Sequence, residues 1–225
     1  MDNHELATFI DHTLLKPDTD SASVAQLCKE ADEHGFCSVC VLPVFVAQSA
    51  QDLQESEVKV CTVIGFPLGA NETEVKVAET QLALSRGADE IDMVMNVSAL
   101  KSGKVDEVLN DIKAVVDAAA GYVVKVILET CLLSDDEKEQ ACRLCVEAGA
   151  SFVKTSTGFS HAGATIEDVK LMRRIVGKDL GVKASGEVRD RETAMEMISA
   201  GATRLGTSSG LIIVSNDSAP ANGDY

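Results

Sequence analysis

Tryptophan is absent, and all aromatic residues together make up only 4% of the 225-residue chain. A core built from large rings is thereby excluded. Aliphatic side chains and alanine must fill it, and a hydrophobic share of 45% is ample for one sizeable core. Positive charge is also scarce: 20 Lys and Arg face 36 Asp and Glu, a formal net charge of −16. Such a field repels phosphate backbones and anionic headgroups, so neither nucleic acid nor a membrane surface is an expected partner. The excess acid reads as a solvated, self-repelling surface. No apolar run reaches bilayer-spanning length, and Met1 to Glu5 lacks the basic start and apolar stretch of a signal peptide, so a cytoplasmic location is expected. The seven cysteines are an odd, scattered set that suits reduced thiols better than a disulfide framework. Two CxxC spacings occur, but Cys37 and Cys40 would point to opposite faces of a strand, and Cys142 and Cys145 sit in a helical pattern without a ligand-pairing turn. His4, His12, His34 and His161 neither cluster nor show ligand spacing, so no metal or other cofactor is expected.

What is present is an alternation of apolar β-type runs with amphipathic helical runs, the pattern of parallel strands joined by crossover helices. Eight strands are expected, near Phe9–Leu14, Cys37–Leu42, Lys59–Ile64, Glu90–Met95, Val123–Glu129, Ser151–Thr155, Val182–Ser185 and Thr203–Gly206. Most read as continuous apolar runs, as strands covered by helices should. Asn71 with Glu74 and Ser134 with Glu137 have capping-box spacing, and Thr165 can cap the helix after it. Gly87-Ala88-Asp89, Gly149-Ala150-Ser151 and Gly201-Ala202-Thr203 each end a helix with glycine and lead into a strand. Eight such units in this length, without a GxGxxG turn, favour an α/β fold of one kind: a single (β/α)8 TIM barrel over residues 1–213. Residues 214–225, rich in Ser, Asn, Asp, Ala, Pro and Gly, are expected to be a flexible tail, with Tyr225 either a lid or proton relay or a frayed end.

A parallel barrel carries its active site at the C-terminal strand ends, so polar residues placed late in strands are the candidates. Lys154 in Phe152-Val153-Lys154-Thr155 and Lys183 in Val182-Lys183-Ala184-Ser185 both precede polar, glycine-containing loops. Burying a lysine costs several kcal/mol, roughly, unless it is paired or neutralised, so two on adjacent strands need a reason. An amine beside a second ammonium in an apolar barrel sheds its proton more readily and becomes a nucleophile for a carbonyl; one lysine alone reads better as a counter-ion. Asp92, a carboxylate inside an apolar strand, can shuttle protons or hold a lysine. Lys125 lies earlier in its strand and reads as the partner of an inner carboxylate. Asp11 and Lys16 read equally well as an internal ion pair. The loops Thr155-Ser156-Thr157-Gly158, Ser185-Gly186 and Gly206-Thr207-Ser208-Ser209-Gly210 offer N–H groups and hydroxyls suited to a phosphate.

Together these segments, with Phe9 to Pro17, Ser38 to Val41 followed by Pro43, Val63 to Gly69 and Gly87 to Val94, make the chain resemble the deoxyribose-phosphate aldolases over nearly its whole length. The resemblance implies a metal-free class I enzyme that joins acetaldehyde and D-glyceraldehyde 3-phosphate. It implies that Lys154 forms the Schiff base, Lys183 tunes it and Asp92 relays protons. It further implies that Gly158, Gly186, Ser208 and Ser209 bind phosphate and that Thr13 and Cys40 line the pocket. Cys40 by itself reads as a small buried hydrophobe. The expected partners are small aldehydes and a sugar phosphate, with pairing into a homodimer through outer helices.

One position departs from the family pattern, which usually has a second glycine after Gly186; this chain reads Gly186-Glu187-Val188-Arg189. Two unit charges about 5 Å apart at an effective dielectric near 20 repel by roughly 3 kcal/mol, so Glu187 is expected to disfavour a phosphate dianion, with Arg189 as an offset. Two other readings share some of these features. Another Schiff-base barrel would keep the lysine and change the donor, and a non-catalytic sugar-phosphate binder would tolerate arginine in place of both lysines.

Overall fold

The computed structural model describes residues 1–215. Strands β1 (Ile10–Leu14), β2 (Ser38–Val41), β3 (Lys59–Ile64), β4 (Glu90–Val94), β5 (Val123–Ile127), β6 (Phe152–Lys154), β7 (Gly181–Ser185) and β8 (Arg204–Thr207) lie within two residues of the expected bounds. They pair in parallel and in sequence order, and β8 returns to β1 to close the barrel. The helices are α1 (Asn3–Ala7), α2 (Ser21–His34), α3 (Val46–Asp52), α4 (Thr73–Ser85), α5 (Val97–Lys101), α6 (Val105–Ala118), α7 (Asp135–Glu147), α8 (Ile166–Val176), α9 (Arg191–Ala200) and α10 (Gly210–Ser215).

The strands alternate more than their composition suggested. Outward positions such as Val39, Ile91, Met93, Val126, Val153, Val182 and Leu205 are fully buried in one apolar layer beneath the helices. Their inward neighbours are polar or charged: Asp11 and Thr13 on β1, Glu90 and Asp92 on β4, Lys125 on β5, Lys154 on β6 and Lys183 on β7. Period-two geometry therefore separates an oily outer shell from an ionic interior.

Local signals explain most helix starts. Ser134 and Glu137 form the reciprocal capping box at α7, and the Thr165 side chain accepts from the Asp168 N–H at α8. The Asn71/Glu74 expectation is wrong: α4 starts at Thr73 with Glu72 as its cap residue and no side-chain cap. The turn before it is fixed instead by packing, since a Cβ on Gly69 would lie 2.1 Å from the Met95 carbonyl oxygen, while Thr73 donates to Asp111 at 2.9 Å. Regular structure also runs past the expected boundary at 213. Residue 214 falls inside α10, whose Val214 side chain is buried against the core, and the rest of the expected tail, including Tyr225, lies outside the described residues beyond Ser215.

Candidate active site

The alternation brings seven ionisable side chains into the barrel. Asp92 is the hub: its Oδ2 accepts from Lys154 Nζ at 2.8 Å and from Lys183 Nζ at 2.7 Å, and its Oδ1 accepts from Lys125 Nζ at 2.8 Å. Lys183 also donates to Asp11, whose other oxygen takes Arg204 at 2.7 Å. Arg204 and Lys125 converge on Glu90, at 2.9 and 2.6 Å. Glycine at 206 makes this crossing possible, because a Cβ there would lie 2.9 Å from the Lys183 side chain. Asp92, Lys125 and Lys183 are fully buried, and Lys154 is 3% exposed at the outer edge of the cluster.

The electrostatics follow from this mutual enclosure. Burial pushes Asp92 toward protonation, but Lys125, Lys154 and Lys183 outweigh it and hold the carboxyl well below the usual range. Burial likewise opposes charge on Lys183, and Asp11 and Asp92 overcome it, so Lys183 is raised well above an ordinary lysine. Asp11 is held low against burial by Lys183, Lys125 and Arg204. The expected Asp11–Lys16 pair is not formed: Asp11 turns to these interior cations, and Lys16 is exposed.

Cys40 and Thr13 stand beside each other where β1 meets β2, both buried. Thr13 donates to the Asp11 carbonyl at 2.8 Å. The Cys40 thiol is lowered by a hydrogen bond with Cys61, with burial opposing and Lys183 and Lys154 assisting. Cys40, Cys61 and Asp92 present ligand atoms within 4.8 Å of one another, as do Asp11, Cys61 and Glu90. Their carboxylates are committed to lysine and arginine, so a metal ion would enter against four positive charges.

Above the cluster, Gly158, Ser160, His161, Gly163, Gly186, Glu187 and Arg189 line a cleft of about 220 Å³. Gly158 and Gly186 thus come together as expected, with Glu187 and Arg189 on the same rim. Ser208 does not join them; it borders a separate hollow with His12, Thr13 and Glu30, and Ser209 borders neither. The Ser209 N–H is taken by the Thr207 hydroxyl at 2.9 Å. Glu187 holds a φ of 63°, the left-handed region that favours glycine, which gives a backbone reason for glycine at this position.

A model of the DeoC/LacD family aldolases matches residues 6–216. The chain belongs to that aldolase family. Among its curated relatives, the deoxyribose-phosphate aldolase of Brevibacillus brevis is 60% identical over 215 residues, covering 96% of this chain and 97% of that protein. The enzyme of the same name from Streptococcus suis is 58% identical over 98% of this chain and the whole of that one. Among solved structures, the deoxyribose phosphate aldolase of Aeropyrum pernix, described as a unique tetramer, superposes with a TM-score of 0.90 at 35% identity, covering 96% of this chain and 92% of that one.

Several parts of this aldolase's interior escaped the reading of the sequence. Arg204 and Glu90 are charged residues within strand runs, the same signal that singled out Lys154 and Asp92, and applying it evenly would have found them. Lys76 could not be found that way. It lies on α4, fully buried, and donates to Asp111 at 2.5 Å and to the Val94 carbonyl at 3.1 Å.

Proposed function

We propose that the chain is a class I aldolase that reversibly cleaves 2-deoxy-D-ribose 5-phosphate into D-glyceraldehyde 3-phosphate and acetaldehyde through an imine on Lys154. The observation that carries this reading is the sharing of one Asp92 oxygen by Lys154 and Lys183, at 2.8 and 2.7 Å. The two amines occupy paired register positions, and Lys154 is the one nearer the mouth. Lys183 is fixed as a cation by Asp11 and Asp92 and disfavours a second positive charge beside it. Four basic side chains, Lys125, Lys154, Lys183 and Arg204, face three carboxylates, Asp11, Glu90 and Asp92, in the interior.

In the cleavage direction the Lys154 amine attacks the C1 aldehyde of the open-chain sugar, and loss of water gives the imine. Removal of the C3 hydroxyl proton breaks the C2–C3 bond, releasing glyceraldehyde 3-phosphate and leaving an enamine on Lys154. Protonation of the enamine carbon and hydrolysis then release acetaldehyde. Asp92, together with water, is assigned the movement of these protons. The cleft at Gly158 and Gly186 is the proposed phosphate end, with Glu187 and Arg189 as modulators. Ser208, beside Thr13 in the separate hollow, and Ser209 stand apart from that cleft, so the phosphate role that the family resemblance gives them and the pocket role it gives Thr13 and Cys40 rest on that resemblance.

We further infer a cytoplasmic homodimer. No helix among the described residues is long and apolar enough to cross a membrane. Val75 and Leu82, seven residues apart on α4, are half-exposed apolar side chains on one helix face and suit a second copy. Incubation with acetaldehyde and borohydride, followed by peptide mapping, tests the chemistry: an ethyl group on Lys154 that requires borohydride is expected. No adduct on any lysine would bring forward the non-catalytic barrel.

A further inference from the structure

Glu129 follows β5 with a φ of 56°, a conformation disfavoured for any residue that carries a Cβ. It is buried, and no lysine, arginine or histidine pairs with it among the described residues. Its carboxyl group is spent on one neighbour: Oε1 accepts from the Thr157 N–H at 3.2 Å, and Oε2 accepts from the Thr157 hydroxyl. Thr157 is the third residue after Lys154, so this contact ties the loop beyond the reactive amine to the end of the neighbouring strand. The Thr157 hydroxyl commits its only proton to Glu129 and accepts from the Phe159 N–H at 3.0 Å. What it has left for a ligand is lone-pair capacity.

Both residues open onto a hollow of about 350 Å³ whose other walls include Leu68, Val94, Val97, Leu132 and Phe159. Val94 stands two residues beyond Asp92 on the same inward face, so the hollow lies one layer above the carboxylate that holds Lys154. A phosphate or carbonyl oxygen brings no proton and finds no donor in the Glu129–Thr157 pair. An alcohol brings one.

We propose that Thr157, held by Glu129, accepts a hydrogen bond from a hydroxyl group of the acceptor aldehyde, and that Glu129 is the positioning residue that fixes this hydroxyl as an acceptor. The left-handed backbone of Glu129 aims its carboxyl group at Thr157, and the other polar groups on the walls of the hollow are the Ser98 and Ser160 hydroxyls. The inference rests on the aldolase reading and extends it to the choice of second substrate.

The test compares D-glyceraldehyde with propanal as acceptors, with acetaldehyde as donor, in the native protein and in Glu129→Gln, Thr157→Val and Thr157→Ser. The native preference for the hydroxylated acceptor in kcat/KM is expected to fall about tenfold in Glu129→Gln and Thr157→Val, the cost of one hydrogen bond, and to survive in Thr157→Ser. Borohydride trapping of acetaldehyde on Lys154 should be unchanged in all of them. A trapped imine with equal losses for both acceptors, or with no loss of preference, would overturn the inference and leave the aldolase reading standing. Absence of a trapped imine in the native protein would overturn both.

Discussion

Because Asp92 accepts from three lysines at once, Asp92→Asn would strand three cations inside a barrel with one carboxylate fewer. A loss of about 3–5 kcal/mol of stability is expected from leaving buried charge unpaired, read as a lower urea midpoint with an unchanged slope. The shifts also set the pH window. Asp92 and Asp11 are lowered in the fold, so their contribution is present above the unfolded carboxylate value and is lost as pH falls below about 4. Lys183 and Lys125 are raised, so theirs persists up to the unfolded lysine value near 10.4 and declines only above it. The urea midpoint should therefore be flat through neutrality and fall steeply on the acid side. At Glu187, replacement by glycine removes left-handed strain at the expense of a more flexible unfolded chain, a net gain of roughly 0.5 kcal/mol. The same change should lower the KM for deoxyribose 5-phosphate several-fold; an unchanged KM would mean that the carboxylate does not act on the phosphate.

Secondary-structure elements were legible where the signal is local and physical. Ser134 supplies a hydroxyl and Glu137 a returning carboxyl three residues on, and the capping box forms even though the same Glu137 oxygen also accepts from Lys101 at 2.6 Å. Asn71 carries the same spacing, but Gly69 packs against the β4 end and Asp111 captures Thr73, so tertiary contacts choose the first turn of α4. Ser134→Ala should then cost about 1 kcal/mol, while Asn71→Ala should fall within about 0.5 kcal/mol of neutral, as thermal unfolding of the two variants will show. The lysines of β6 and β7 were legible as candidates because charge inside an apolar strand needs a partner. Their partners were harder to read. Asp11 comes from β1, across the closure of the barrel, and only the register of β8 against β1 brings it to Lys183. Glu129 left no trace in the sequence beyond its place at the end of a strand, because its distinguishing property is a backbone angle.

At the scale of the whole molecule, the net charge of −16 sets a repulsive field around an interior in which cations outnumber carboxylates by one. A phosphorylated substrate must cross that field to reach the mouth, whereas an unphosphorylated sugar is indifferent to it. Raising ionic strength from a few millimolar to about 0.15 M shortens the screening length to about 8 Å, so kcat/KM for deoxyribose 5-phosphate should rise with salt while that for deoxyribose stays level. A flat response for both would place the governing field at the cleft itself. The cleft, in turn, has little freedom to adapt. A Cβ on Gly163 would lie 2.4 Å from the Gly186 carbonyl carbon, and the Ala164 N–H donates to the Gly186 oxygen at 3.1 Å, so two successive loops are fastened backbone to backbone. On that side the cleft has a backbone edge of set position, and a descendant of this chain would change its choice of anion most directly by exchanging the side chains around it, at 160, 161, 187 and 189, while that edge stays as it is.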